Sequence, residues 1–167
     1  LDIASLNTAT LLFMTFLMLV GASPGSCGGG IKTTTLAVLT AFSWSRWMRY
    51  KCVNLFGKTV PDDTVTKSIS VLLFSVAAIF IAVFVILFID PDHGARVQGN
   101  RQFLSFLFET VSAFGTVGLS MGITSGLTLP GKLVIMGLMI IGRVGVPAFT
   151  YIIAGGGSTR GIQYAEE

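Results

Sequence analysis

FLSFLFETVSAFGTVGLS, residues Phe103 to Ser120, is the stretch that decides the fold of this chain. It begins with an apolar helix, Phe103 to Phe114, whose length of about 18 Å covers only about half of a bilayer core. It ends in the small residues of Gly115 to Gly118, and long hydrophobic segments precede and follow it. This order predicts a re-entrant helix that carries non-helical backbone to mid-membrane depth, where protein or an aqueous cavity must surround it.

The composition excludes most soluble classes. Hydrophobic residues make up 52% of the chain, charged residues only 11%, and mean hydropathy is +0.79. Since soluble domains carry about 25% charged residues, this indicates an all-α membrane protein. The net charge of +3 is too small and too clustered to favour a nucleic-acid partner. Cys27 and Cys52 stand in unlike settings, which predicts free thiols rather than a disulfide or a metal site.

The residues give little support for an enzyme or for a signal peptide. No paired acid and base groups, nucleophile constellation or metal cluster occurs, so an enzyme is not expected. The chain opens on Leu1 without an initiator Met or a basic leader region. We therefore expect no signal peptide, and we expect the sequence to be part of a longer protein.

A second motif interrupts the first hydrophobic segment. Thr8 to Trp47 is about twice as long as one membrane span requires, and GASPGSCGGGIKTTT, Gly21 to Thr35, lies in its middle. An unbroken helix there is disfavoured, because each interior Gly costs about 1 kcal/mol and Pro about 3 kcal/mol. The pattern predicts a broken helix, with one half from Thr8 to about Val20 and the other from about Thr33 to Trp47. An ordinary external loop between two short helices is the alternative.

The charge distribution predicts the topology. Basic residues concentrate between Arg46 and Lys67, which the positive-inside rule places in the cytoplasm. The segment that follows, Asp90 to Gln102, is polar and is expected outside, with His93 as a solvated loop residue. In order, we predict a cytoplasmic loop over 48–67, a helix over 68–89, a pore helix over 103–114, a filter over 115–120, a helix over 132–153 and a cytoplasmic tail over 154–167.

The end of the re-entrant helix is the candidate ion site. A helix that enters from outside directs about half a negative charge at the membrane centre, which favours a cation there. Gly115 and Gly118 permit backbone conformations that aim carbonyl groups at a pore axis. The run Thr116, Val117 and Gly118 matches the first part of the potassium-channel filter TVGYG. We therefore predict a cation pore in which these three residues bind potassium through their backbone; a glycine turn that packs two helices is the alternative.

Two charged residues accompany this site. Arg143 lies about 16 Å beyond Lys132 along the last predicted helix, near mid-bilayer, where a charge costs about 3 kcal/mol and must face protein or water. We predict that it is a barrier element for cations; a structural arginine paired with Glu109 or with free carbonyls is the alternative. Glu109 lies inside the re-entrant helix and is expected to support the filter through backbone N–H groups rather than to bind the ion.

The Gly-rich motif nearly fits the phosphate-binding pattern G-x-x-x-x-G-K-[ST], but Ile31 separates Gly30 from Lys32. That pattern also needs a preceding buried strand, which a membrane segment does not supply, so nucleotide binding is rejected. A loop able to line or block an aqueous path remains, as broken helices do in transporters. The candidate gate residues are Gly21, Ser23, Gly25, Gly28, Gly29, Gly30, Lys32 and Arg143.

Taken together, GASPGSCGGGIKTTT, FETVSAFGTVGLS and IGRVGVP resemble the Trk/Ktr/HKT superfamily of potassium transporters, and the Ktr-type membrane subunit most closely. The resemblance implies four helix–pore-helix–helix repeats around one pore. Residues 68–153 then correspond to the fourth repeat, and residues 1–47 to the outer turn and broken second helix of the third. Gly118 corresponds to the filter glycine of its repeat, residues 21–35 to the intramembrane gate loop, and Arg143 to the arginine that closes against it.

The resemblance also implies a multi-pass protein of the bacterial inner (plasma) membrane that takes up potassium, with sodium as a modulating or accompanying ion. It implies a homodimer on a cytoplasmic ring that binds adenine nucleotides, contacted by the loop from Arg46 to Lys67 and by the tail. Two repeats and most of a third are absent, so we expect this chain alone not to conduct. The alternative function is a secondary transporter that binds a small solute at the broken helix.

Overall fold

The computed structural model describes residues 3, 6–23, 25–26, 28–48, 54–55, 58–90 and 99–145, so Cys27, Cys52, His93 and the tail lie outside the described residues. The described part is helical, as the sequence predicts. Its elements are α1 (Thr8–Leu19), α2 (Thr33–Trp47), α3 (Asp62–Ile89), α4 (Gly99–Gly115), a short 3-10 helix (Thr124–Gly126) and α5 (Leu129–Val144). One small departure is an antiparallel ribbon of two two-residue strands, β1 (Asn54–Leu55) and β2 (Lys58–Thr59).

The first hydrophobic segment forms two helices separated by an irregular loop. Residues 20–32, called the Gly-rich loop below, leave α1 after Leu19 and enter α2 at Thr33. The two ends of the loop lie side by side, because Val20 and Ile31 form a parallel bridge. The amide of Gly21 donates to the carbonyl of Ile31 at 2.7 Å, and the amide of Ile31 donates to that of Leu19 at 3.3 Å. The chain therefore returns to its starting point before α2 begins.

Helix α3 is the long helix of the structure. It begins at Asp62, six residues before the Ser68 start that the sequence predicts, because Pro61 stands at its N-cap and acidic Asp62 and Asp63 suit the positive end of a helix. Its 28 residues span about 42 Å. Among the described residues it is the one helix long and apolar enough to cross a membrane, whereas α1 is apolar but shorter.

Helix α4 lies at the centre and contacts α1, α3 and α5. It begins at Gly99 rather than at Phe103, since the polar turn before the apolar stretch is also helical. The helix therefore has 17 residues. Its buried side chains include Ser105, Glu109, Thr110 and Ser112, while Phe84 and Phe88 on α3 are 72% and 82% exposed. Phe106, Phe108 and Phe114 on α4 are also buried, so the core is apolar with polar groups within it, while large aromatic side chains of α3 are left exposed.

Helix α5 packs against both α3 and α4. It starts at Leu129 and ends at Val144, whereas the sequence predicts a helix over 132–153; the structure describes no residue beyond 145. The helix stops because Gly145 has a φ of 85°, outside the helical region. Its first turn is held to the end of α3 by Asp90, which is 2% exposed and accepts from the Thr128 hydroxyl at 2.8 Å.

Candidate functional site

Helix α4 ends in a Schellman motif that turns the chain out of the helix. The amide of Thr116 donates to the carbonyl of Ala113 at 3.1 Å, and the amide of Val117 donates to that of Ser112 at 3.0 Å. These are the two hydrogen bonds that define the motif, whose left-handed position is usually glycine. Here Thr116 occupies it, with a φ of 52°. A β-branched residue in this conformation is a genuine outlier, so its side chain needs an explanation.

The post-helix segment, residues 116–123, continues as non-helical backbone. Gly118 has a φ of 84° and Gly122 a φ of 86°, conformations that other residues rarely adopt. The hydroxyl of Ser112 donates to the carbonyl of Leu119 at 2.6 Å and so sets the direction of this carbonyl. Val117 is 45% exposed, and an added Cβ on Gly118 would meet no atom within 4 Å. One side of the segment is therefore open within this chain.

Glu109 ties the far end of the post-helix segment to α4. One carboxylate oxygen accepts from the Ser120 hydroxyl at 2.6 Å and from the Met121 amide at 2.9 Å, and the other accepts from the Thr124 hydroxyl at 2.8 Å. The side chain is only 6% exposed. These partners lie between Ser120 and Thr124. The charge of Glu109 is used to brace the segment.

The Gly-rich loop lies against the end of α4. The amide of Gly29 donates to the hydroxyl oxygen of Thr116 at 2.9 Å. A Cβ on Gly29 would lie 3.0 Å from the carbonyl oxygens of Phe114 and Gly142, and a Cβ on Gly142 would overlap the same Phe114 oxygen. Loop, α4 and α5 thus meet backbone to backbone. A side chain at Gly142 would overlap the backbone of α4, and one at Gly29 would require its neighbours to move.

The interior of the Gly-rich loop is closed by its own groups. The ammonium of Lys32 donates to the carbonyl of Gly28 at 2.9 Å and to that of Ser26 at 3.4 Å. A Cβ on Gly21 would overlap the carbonyl oxygen of Gly29 on the opposite side of the loop. Of the predicted gate residues, Gly21, Gly28, Gly29, Gly30 and Lys32 are thus brought together. Gly25 lies apart, with a φ of 88° and no atom within 4 Å of an added Cβ.

Arg143 lies in the last turn of α5 and its side chain is exposed. The sequence predicts it inside a helix over 132–153; within the described residues α5 ends one residue later, at Val144. A basic side chain in the last turn suits the negative end of a helix. The residue before it, Gly142, supplies the carbonyl beside Gly29, so Arg143 follows directly after the contact of α5 with the loop.

Two cavities flank the post-helix segment. One of about 490 Å³ lies between α1, the Gly-rich loop and the segment, and is lined by Met18, Gly29, Thr116 and Val117 among others. A second of about 360 Å³ lies between the segment and α5, beside Glu109. The described residues contain no group of three or more His, Cys, Asp or Glu side chains that could hold a metal ion. Among the residues that line the first cavity, Thr116 is the one with a hydroxyl group.

Sequence reasoning missed three parts of this site. Ser112 gives no signal beyond its position one turn before the helix end. Gly142 gives no local signal of the backbone that it contacts, which is the end of α4. Thr116 was assigned only a backbone role, although its side chain holds the loop. Each role depends on a partner distant in sequence, which no local pattern reveals.

The exposed apolar side chains of α3 and its length agree with an all-α membrane protein. Its family is shown by comparison, since residues 1–154 match the family described as TrkH: Cation transport protein. The chain belongs to this family and is a membrane subunit of the Trk/Ktr superfamily, as the sequence motifs predict.

Several relatives are similar over most of this chain. The Ktr system potassium uptake protein D of Bacillus subtilis is 40% identical over 92% of the chain, and the Ktr system potassium uptake protein B of Vibrio alginolyticus is 38% identical over 92%. The potassium/sodium uptake protein NtpJ of Enterococcus hirae is 32% identical over 100%. The chain spans 32%, 32% and 36% of the length of these relatives, about a third.

Proposed function

We propose that this chain supplies one complete pore repeat, and the broken helix of the preceding repeat, to a potassium-uptake subunit. Residues 68–153 form the helix–pore-helix–helix repeat, with α4 as pore helix, and residues 1–47 form the outer turn and broken helix. Residues 48–67 and 154–167 are the cytoplasmic loop and tail. The observation that carries the proposal is the end of α4, where a buried helix passes into open non-helical backbone beside the Gly-rich loop.

The filter is the start of the post-helix segment. Gly115 to Gly118 direct backbone carbonyls at a dehydrated potassium ion, and the negative end of α4 favours the cation at this point. Ser112 and Glu109 hold the segment from behind, at 2.6 Å from Leu119 and Ser120 respectively. Because these two side chains belong to α4, they can keep the carbonyl groups of the segment in place even when no ion is bound.

The gate is the Gly-rich loop together with Arg143. The loop closes the first cavity on its α1 side, and Arg143 places positive charge next to the contact between α5 and the loop. Potassium passes when the loop withdraws. The ion then moves down its own electrochemical gradient. Sodium is the ion we expect to accompany or modulate the flux. The complete subunit works as a homodimer on a nucleotide-binding cytoplasmic ring in the bacterial inner membrane.

Gly118 provides the decisive test. The homologous third of the Vibrio alginolyticus relative is replaced by this chain, and this exchange subunit is assayed for potassium uptake in cells that lack their own systems. Gly118→Ser should reduce uptake at least about tenfold, because it narrows the ring of carbonyls. Gly122→Ser is the matched control, since both glycines have similar positive φ and no atom within 4 Å of an added Cβ.

Three outcomes decide the proposal. Loss of uptake in Gly118→Ser with normal uptake in Gly122→Ser supports the filter. Equal uptake in both variants contradicts it, and uptake that depends on an organic solute but ignores Gly118→Ser supports a secondary transporter instead. This chain reconstituted alone in liposomes should give no potassium current, because one repeat encloses only part of a four-sided pore.

A further inference from the structure

Thr116 is the least expected residue of the post-helix segment. It holds a φ of 52° at the left-handed position of a Schellman motif, where glycine is the usual residue. A β-branched side chain is disfavoured there, and such strain persists only when the surroundings hold it in place. The contacts of the Thr116 side chain therefore have to account for this conformation.

The side chain of Thr116 reaches the Gly-rich loop. Its hydroxyl oxygen accepts from the amide of Gly29 at 2.9 Å, across 87 positions of sequence. Its methyl carbon lies 3.0 Å from the position of a Cβ on Gly29. Within the described residues, this is the one hydrogen bond that joins the Gly-rich loop to the post-helix segment. Gly29 also lies in close contact with the backbone of Phe114 on α4 and of Gly142 on α5.

We propose that the Thr116 hydroxyl is a latch that holds the Gly-rich loop closed against the filter. Withdrawal of the loop must break the bond from Gly29, so the turn that begins the filter and the loop below it change state together. Thr116 is a positioning residue in this role, distinct from any ion contact of its backbone carbonyl. The consequence for transport rests on the proposed function, while the mechanical link between loop and helix end does not.

The latch is tested by the exposure of Cys27, two residues before Gly29 in the sequence. Cys27 is kept as the single thiol of the exchange subunit, and its alkylation rate is measured in membranes. Thr116→Val keeps the β-branched shape but removes the acceptor, so labelling should accelerate about threefold to tenfold, the effect of one neutral hydrogen bond. Thr116→Ser keeps the acceptor and should label at the unmodified rate.

A matched control separates the latch from a general loss of threonine. Thr15 on α1 is also buried, but its hydroxyl donates at 2.7 Å to the carbonyl of Leu11 within its own helix. Thr15→Val should leave the labelling of Cys27 unchanged. Acceleration of the same size in this variant would contradict the latch, because it would show that any buried threonine in this region affects the loop.

Thr116→Gly separates the latch from a purely structural role. Glycine relieves the left-handed strain, so the melting temperature of the subunit should be equal or higher. It also removes the acceptor, so labelling of Cys27 should accelerate as in Thr116→Val. If Thr116 only stabilised the turn, an equal or higher melting temperature would not be accompanied by faster labelling of Cys27. This variant also gives the answer if Thr116→Val does not fold.

Uptake measured in the same variants distinguishes the two proposals. With a working pore, Thr116→Val should raise basal potassium uptake about as much as it raises labelling. Accelerated labelling in an exchange subunit that takes up no potassium, even unmodified, would reject the proposed function and leave the latch standing. Normal uptake with wild-type labelling rates in both Thr116→Val and Thr116→Gly would overturn the latch.

Discussion

The post-helix segment and the Gly-rich loop are both non-helical, yet they are held in different ways. Side chains of α4 hold the segment: Ser112 bonds the carbonyl of Leu119 at 2.6 Å, and Glu109 bonds three groups between Ser120 and Thr124. The loop is held by close backbone packing, which is possible because Gly21, Gly29 and Gly142 have no side chains. The first arrangement fixes carbonyl directions, whereas the second places the loop in close backbone contact with α4 and α5, with the bond from Gly29 to Thr116 between loop and segment.

The largest effect is expected at Glu109. Glu109→Ala removes the acceptor of three hydrogen bonds, and bonds to a charged group are worth about 1.5–3 kcal/mol each, partly replaced by water here. We expect a loss of about 3 kcal/mol from the packing of the post-helix segment and at least a tenfold fall in potassium uptake by the exchange subunit. Glu109→Gln keeps one acceptor oxygen, so its potassium uptake should lie between that of Glu109→Ala and that of the unmodified exchange subunit.

Glu109→Ala also tests whether the post-helix segment and the Gly-rich loop are held separately. Because the loop is held independently of Glu109, alkylation of Cys27 should not change in Glu109→Ala. Faster labelling of Cys27 in this variant would show that the far end of the segment, from Ser120 to Thr124, also helps to hold the loop.

A smaller effect is expected where α5 meets α4. Gly142→Ala places a methyl group on the carbonyl of Phe114, and overpacking of this kind costs about 1–3 kcal/mol. Gly137→Ala on the same helix is the matched control, because its Cβ meets no atom within 4 Å and alanine favours a helix by about 1 kcal/mol. Melting of the exchange subunit in detergent should fall for the first variant and hold or rise for the second; equal melting temperatures would contradict the close contact.

The smallest effect is expected at Ser112. Ser112→Ala frees the carbonyl of Leu119 at a cost of about 1 kcal/mol, and uptake should fall about twofold to fivefold as the segment loses its fixed direction. Ser75→Ala on α3 is the control, since that hydroxyl donates at 2.7 Å to Val71 within its own helix. The same fall in both variants would show that the Leu119 bond has no special part in transport.

Much of the helical plan follows from local sequence. The break between α1 and α2 is encoded by Gly21 and the glycines that follow, because such residues destabilise a helix wherever they stand. The limits of α3 and α4 were misjudged by a few residues, since polar or charged turns extend both helices at their first residues. The predicted end of the last helix at residue 153 lies outside the described residues; within them α5 ends at Val144, where Gly145 takes a positive φ that glycine permits but does not demand.

The sequence by itself determined that this chain is a helical membrane protein, that one helix is broken by glycines, and that a Gly-containing turn follows α4. These properties depend on composition and on neighbours within a few positions. The tertiary structure alone decided that Gly29 reaches Thr116, that Gly142 touches the end of α4, and that Glu109 turns to the segment beyond Leu119. Such contacts join residues far apart in sequence, and only the packing of helices brings them within hydrogen-bonding distance.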